Sequence, residues 1–140
     1  MPTIIETPDA ATRTYRILAV DDDPFSTELS KIALEQTGRY LVCEINDPKT
    51  AAAAAREFEP HLIIMDVDMP RLDGRAAALL IQSEPGMEDV PILFVTSLIA
   101  EGTPAGTNPF GWHGPLAKPV SPRKLARAVD SILQSGVLKV

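Results

Sequence analysis

The 140-residue sequence predicts an α/β domain, a parallel sheet with helices on both faces. Three observations carry this. Short apolar runs alternate along the chain with stretches of helical spacing. The runs are apolar at successive positions, as strands covered on both faces require. Polar or charged residues close the runs, and proline or glycine follows at most of these junctions. At this length folding buries roughly two-thirds of the unfolded chain's surface, enough for one core and not for two.

The elements follow in order. Residues 1–15 are polar, carry Pro2 and Pro8, and read as a flexible arm. Arg16 to Val20 is a strand. Asp22 or Asp23 caps the next helix, with Pro24 in its first turn. Phe25, Leu29, Ile32 and Ala33 then fall on one face, expected to be the core face, and Gly38 stops the helix. Tyr40 to Ile45 is the second strand. Asp47-Pro48 repeats the cap, Ala51, Ala55 and Phe58 stripe a second helix, and Pro60 ends it. Leu62 to Met65, closing on Asp66, is the strongest strand. Asp73-Gly74 opens a third helix to about Ser83, with Ala76, Leu79 and Leu80 expected toward the core. Pro91 to Val95 is the fourth strand, ending at Thr96, and a short fifth fits around Leu116-Ala117. Ser121-Pro122 caps a last helix that carries Leu125, Val129, Ile132 and Leu133 and is expected to end at Gly136.

One stretch breaks this rhythm. A helix is expected between Thr96 and Leu116, but the sequence there holds Pro104, Pro109 and Pro115 among four glycines. Such a segment cannot sustain a long regular helix. At most one helical turn, around Leu98–Glu101, is expected to survive.

Composition excludes several classes. The formal charge of −6 disfavours nonspecific binding to nucleic acid or an anionic membrane. A single cysteine, Cys43, can make neither an internal disulfide nor a metal site, which fits a reducing compartment. No apolar run approaches the ~20 residues of a membrane span. The opening residues lack the charged start and apolar stretch of a secretory signal.

In an open parallel sheet, ligands bind beyond the carboxyl ends of the strands. Those ends hold Asp21, Asp22 and Asp23, then Asp66, Thr96 and Lys118. Clustered carboxylates repel unless something neutralises them. An oxygen-only donor set suits Mg²⁺, and one ammonium brings three acids and that cation close to neutrality. A carboxylate beside such a cation can attack phosphorus and become an aspartyl phosphate. Positioning and charge neutralisation are most of what phosphoryl transfer needs.

The segments ILAVDDDP, LIIMDVDMPRLDG, FVTS and LAKPV resemble, in order and spacing, the receiver domains of two-component response regulators. The resemblance covers about residues 16–135. It implies a flavodoxin-like five-stranded parallel sheet of order 2-1-3-4-5, here with the fourth helix shortened or irregular. It divides the chain into an arm (1–15), a receiver domain (16–136) and a short tail (137–140). It implies Asp66 as phospho-acceptor, Asp21 and Asp22 as the acidic pair holding Mg²⁺, and Asp68 as a metal ligand through its backbone carbonyl. Thr96 resembles the hydroxyl that engages the phosphoryl group, and Lys118 the ion-pairing lysine. Lys118-Pro119 resembles the family's cis peptide bond.

The sequence also departs from that pattern. Receivers usually carry an aromatic residue three positions before the lysine, where Pro115 stands here. The chemistry looks kept and the output face rebuilt. Phe110, Trp112 and His113 are expected either to form a recognition patch or to plug the gap left by the missing helix.

The expected function is a cytoplasmic bacterial signalling phosphoprotein rather than an enzyme in the ordinary sense, catalysing only its own phosphorylation and dephosphorylation. The expected donor is a sensor histidine kinase or a histidine phosphotransfer protein, and phosphorylation alters affinity for an unspecified output partner. Neither nucleic acid nor membrane is expected as a partner. The alternative is a degenerate receiver, a constitutive interaction module acting through residues 98–115. Asp66-Val67-Asp68 also resembles the D-x-D of haloacid dehalogenase-type phosphatases, but the acidic pair on the first strand and the lack of a cap insert argue against that.

Overall fold

The computed structural model describes residues 14–69, 72–97, 106–107 and 111–138, with the backbone alone for 106–107 and 135–138. The parallel strands are β1 (Tyr15–Val20), β2 (Tyr40–Ile45), β3 (Leu62–Asp66), β4 (Ile92–Thr96) and β6 (Trp112–Ala117). A two-residue strand β5 (Gly106–Thr107) completes one sheet in the order β2-β1-β3-β4-β6-β5. The five parallel strands thus stand in the expected 2-1-3-4-5 order, and β5 pairs antiparallel on the outer edge of β6.

Side chains alternate across a strand, so each strand feeds two cores. Ile17, Ala19, Leu62, Ile64, Leu93 and Val95 point to one face. There α1 (Pro24–Glu35) and α4 (Pro122–Leu138) cover them with Ala33, Leu34, Leu125, Val129 and Leu133. Leu18, Val20, Ile63, Met65, Ile92 and Phe94 point to the other face, under α2 (Ala51–Phe58) and α3 (Gly74–Gln82). The double burial is why the strands read as unbroken apolar runs.

Two helix faces differ from expectation. On α1, Phe25, Leu29 and Ile32 are exposed, Phe25 by 65%, while Thr27, Ala33 and Leu34 face the core. The Thr27 hydroxyl explains the rotation: it lies 2.8 Å from Glu44 Oε1 and 3.0 Å from Asn46 Nδ2 at the end of β2. On α3, Ala77, Ala78 and Ile81 are buried, and Leu79 and Leu80 are exposed. Gly74 sets that rotation, because its Cα lies so close to the Asp66–Val67 backbone that a Cβ there would sit 2.1 Å from the Asp66 carbonyl oxygen. The buried face is therefore 74, 77, 78 and 81 at helical spacing.

Other boundaries hold or shift slightly. Asp23 caps α1, accepting from the Phe25 N–H at 3.1 Å. Ser121 Oγ accepts from the Lys124 N–H at 3.1 Å and opens α4. The last helix runs through Gly136 to Leu138 instead of stopping there. One glycine costs a helix only about 1 kcal/mol, and the preceding turns of α4 are anchored in the core. The strand expected near Leu116 begins already at Trp112, and its pairing with β4 shifts between Leu93 and Val95. Pro115, lacking an N–H to donate, stands opposite that irregularity.

Of the expected arm 1–15, Tyr15 instead begins β1, its N–H donating to the Arg39 carbonyl at 2.8 Å. Residues 1–13, the helical turn near Leu98–Glu101 and Phe110 lie outside the described residues. Trp112 packs edge-to-face on Phe94 with ring centroids 5.0 Å apart, and its indole N–H donates to Gln82 Oε1 at 3.1 Å. For Trp112, the reading as a plug of the core is the one the packing favours.

Candidate functional site

The carboxyl ends of β1, β3, β4 and β6 lie side by side in the sheet. They bring Asp21, Asp66, Thr96 and Lys118 together. Asp21, Asp66 and Thr96 are buried, and Asp22 and Asp68 are exposed at the rim.

Lys118 Nζ lies 2.6 Å from Asp21 Oδ2 and 3.4 Å from Asp66 Oδ1. Two acids against one ammonium leave the pair negative, and Asp22 adds a third carboxylate. Oxygens of Asp21, Asp22 and Asp66 all lie within 4.8 Å of one another. An all-oxygen cluster of this size fits a hard divalent cation such as Mg²⁺. Two of the three acids stand on strand ends and are held by the sheet.

Each side chain has a local cause. The Asp21 N–H donates to the Ile45 carbonyl at 3.0 Å, and its Oδ1 accepts from the Asp23 N–H at 2.9 Å. Asp66 Oδ1 accepts from the Asp68 N–H at 3.3 Å. The Lys118 N–H donates to the Thr96 carbonyl at 2.9 Å, which ties the last two strand ends together. Both Lys118–Pro119 and Gly114–Pro115 are cis; only the first is expected from the sequence.

Asp66 is pushed up to about 6. Burial is the main cause and the Asp21 charge adds to it; Lys118 and the Asp68 N–H oppose. Burial would lower Lys118, but its bonds and charge contacts with Asp21 and Asp66 outweigh that and hold it above its ordinary value.

Sequence reasoning missed two features. Asp68 is engaged by its side chain as well as placed near the site by its backbone, because its carboxylate is hydrogen-bonded to the Thr96 hydroxyl. Thr27, Glu44 and Asn46 reach the site from behind, the Asn46 amide donating to the Asp21 carbonyl at 2.8 Å. Thr27 stands on the side of α1 opposite the apolar stripe of Phe25, Leu29 and Ile32, so helical periodicity did not mark it.

Beside the acids a cavity of ≈ 410 Å³ opens between α1 and the β6–α4 connection. Phe25, Leu29, Val120 and Leu125 line it, and it reaches Asp21 and Lys118.

An aspartate-centred acidic pocket at the carboxyl edge of a doubly wound sheet defines a class of phosphoryl-handling α/β proteins. The sequence matches the response regulator receiver domain family over residues 17–130, and the chain belongs to that family. Receiver domains are modules of two-component signalling, phosphorylated by histidine kinases, and bind Mg²⁺ at such a pocket. An uncharacterised 14.6 kDa protein of Leptolyngbya boryana is 32% identical over 81% of this chain and 86% of its own length. The DNA-binding dual master transcriptional regulator RpaA of Synechocystis is also 32% identical, over 86% of this chain but only 53% of the regulator. Among solved structures, the chemotaxis response regulator CheY4 of Vibrio cholerae superposes with a TM-score of 0.74 at 26% identity, covering 85% of this chain and 98% of that one. Among the described residues, no helix is long and apolar enough to cross a membrane.

Proposed function

We propose that this chain accepts a phosphoryl group on Asp66 from a phosphohistidine of a sensor kinase or phosphotransfer protein. The observation that carries the proposal is the convergence of Asp21, Asp66 and Lys118, with Thr96 on the neighbouring strand end. An Asp66 carboxylate oxygen attacks phosphorus, the N–P bond of the donor breaks, and the histidine leaves as a neutral imidazole once it holds a proton. Asp21, Asp22 and Asp66 would hold Mg²⁺, with Asp68 contributing its backbone carbonyl; the ion supplies charge neutralisation at the phosphoryl oxygens. Lys118 neutralises charge beside Asp66, and the Thr96 hydroxyl donates to a phosphoryl oxygen. Hydrolysis of the acyl phosphate resets the site, and catalysis goes no further than this cycle.

The exposed Phe25, Leu29 and Ile32 beside the acids support a docking face for the donor. Phosphorylation then changes affinity for an output partner.

The test is to incubate the protein with acetyl phosphate and Mg²⁺ and record its intact mass, with Asp66→Asn as control. A gain of one phosphoryl group, absent in the control and without Mg²⁺, is the expected result. No gain, with Mg²⁺ binding demonstrated, would overturn it in favour of a constitutive interaction module working through residues 98–115.

A further inference from the structure

We infer that Thr27, Asn46 and Glu44 form a positioning network that aims the acidic pair. The inference rests on the receiver reading above. The connectivity is directional. The Asn46 side-chain amide has two N–H groups, one donated to the Asp21 carbonyl at 2.8 Å and the other to Thr27 Oγ1 at 3.0 Å. Thr27 Oγ1 has one hydrogen to give and two acceptors in reach, Glu44 Oε1 at 2.8 Å and the Pro24 carbonyl oxygen at 3.1 Å. Accepting from Asn46 leaves that hydrogen to give, and the carboxylate is the nearer and the charged acceptor, so the chain of donors runs from Asn46 through Thr27 to Glu44.

The geometry explains why a site of this kind gains from such a chain. The Asp21 side chain is already fixed by Lys118 and the Asp23 N–H. Asp22 is exposed, and the direction of its carboxylate depends on the peptide plane joining it to Asp21. The Asn46 amide grips the carbonyl of that plane. Thr27 is 1% exposed, so its hydroxyl would not be placed there without partners to satisfy it. Asn46 stands just past the end of β2 and Thr27 in the second turn of α1, so the network also locks helix to sheet beside the acids. None of the three residues reaches the cation cluster itself. They act through Asp21 and Asp22, as groups behind a metal's ligands do.

The test is Mg²⁺ titration by calorimetry of the wild-type protein, Thr27→Val, Thr27→Ser and Asn46→Ala. Thr27→Val keeps the shape and removes the hydroxyl, and Thr27→Ser restores it. Thr27→Val and Asn46→Ala should each raise the Mg²⁺ Kd about tenfold, with Thr27→Ser within about twofold of wild type. Unchanged affinity in both disabling variants would overturn the inference and leave Thr27 a structural residue only. If Thr27→Val does not fold, Asn46→Ala decides alone, since that side chain is exposed. Absence of saturable Mg²⁺ binding by the wild type would overturn the phospho-acceptor reading and the inference with it, and that outcome is visible before any variant is made.

Discussion

The Thr96 hydroxyl is hydrogen-bonded to the carboxylate of Asp68, the exposed acid two residues beyond the proposed acceptor. A phosphoryl group on Asp66 would compete for that hydroxyl and would also meet the Asp68 charge. Asp68→Ala removes both obstacles. A hydrogen bond to a charged group is worth about 1.5–3 kcal/mol, so the rate of phosphorylation by acetyl phosphate should rise by about tenfold or more. Time-resolved intact mass measures it, and an unchanged rate would mean that Thr96 is not recruited during transfer.

Asp66 gives a signed pH dependence. With its pKa pushed up to about 6 by burial, the folded protein holds the proton more tightly than the unfolded chain. The stability this group contributes is complete below about pH 4 and is lost as pH rises through about 6. Asp66→Asn should therefore be more stable than wild type by about 1–3 kcal/mol near pH 8 without divalent cation, the gap closing toward pH 4. Urea unfolding at the two pH values tests this. Mg²⁺ should raise the Tm of the wild type more than that of the variant.

Gly74→Ala separates packing from propensity. Alanine is the better helix former by about 1 kcal/mol, so an isolated-helix argument forecasts stabilisation. The contact geometry forecasts the reverse, because the added carbon would sit 2.1 Å from the Asp66 carbonyl oxygen and 2.8 Å from Val67 Cα. The backbone that carries the acceptor must move. A loss of about 1–3 kcal/mol in thermal unfolding is expected, with slowed phosphorylation.

At the opposite end of the sheet, Asp130 accepts from the Tyr40 hydroxyl and from Arg39, the latter at 2.6 Å. That contact, the main cause, holds Arg39 above its ordinary pKa. Asp130→Ala should destabilise the protein by about 1–3 kcal/mol and leave phosphorylation at the wild-type rate. A change in that rate would reveal coupling between the two ends.

The strands, their order and the residues at their carboxyl ends were legible because a double-faced apolar run admits few other readings. The helix rotations were not. On α1, Phe25, Leu29 and Ile32 made the better apolar stripe, but the polar partners of Thr27 fixed the other face inward. On α3, the two leucines lost to a row of small residues, because a glycine had to approach the Asp66 backbone. Both outcomes depend on contacts with residues distant in sequence, which periodicity does not encode. The Asp68–Thr96 bond was hidden for the same reason, since it joins the loop after β3 to the end of β4 across 28 positions.

Trp112 has a wider consequence. It lies over Phe94 on the sheet face where α2 and α3 cover β1 and β3, at the end of the sheet beyond them. Among the described residues, the Trp112 indole, tethered to Gln82, covers Phe94 there. Among the described residues, β6 pairs with β4 and with the two-residue β5. Amide exchange should be graded across the sheet, slowest in β1 and β3 and fastest in β6, with β6 opening in excursions that leave the inner strands closed. Lys118 follows directly on β6, so each opening of that strand would also release the ammonium that pairs with Asp21 and Asp66.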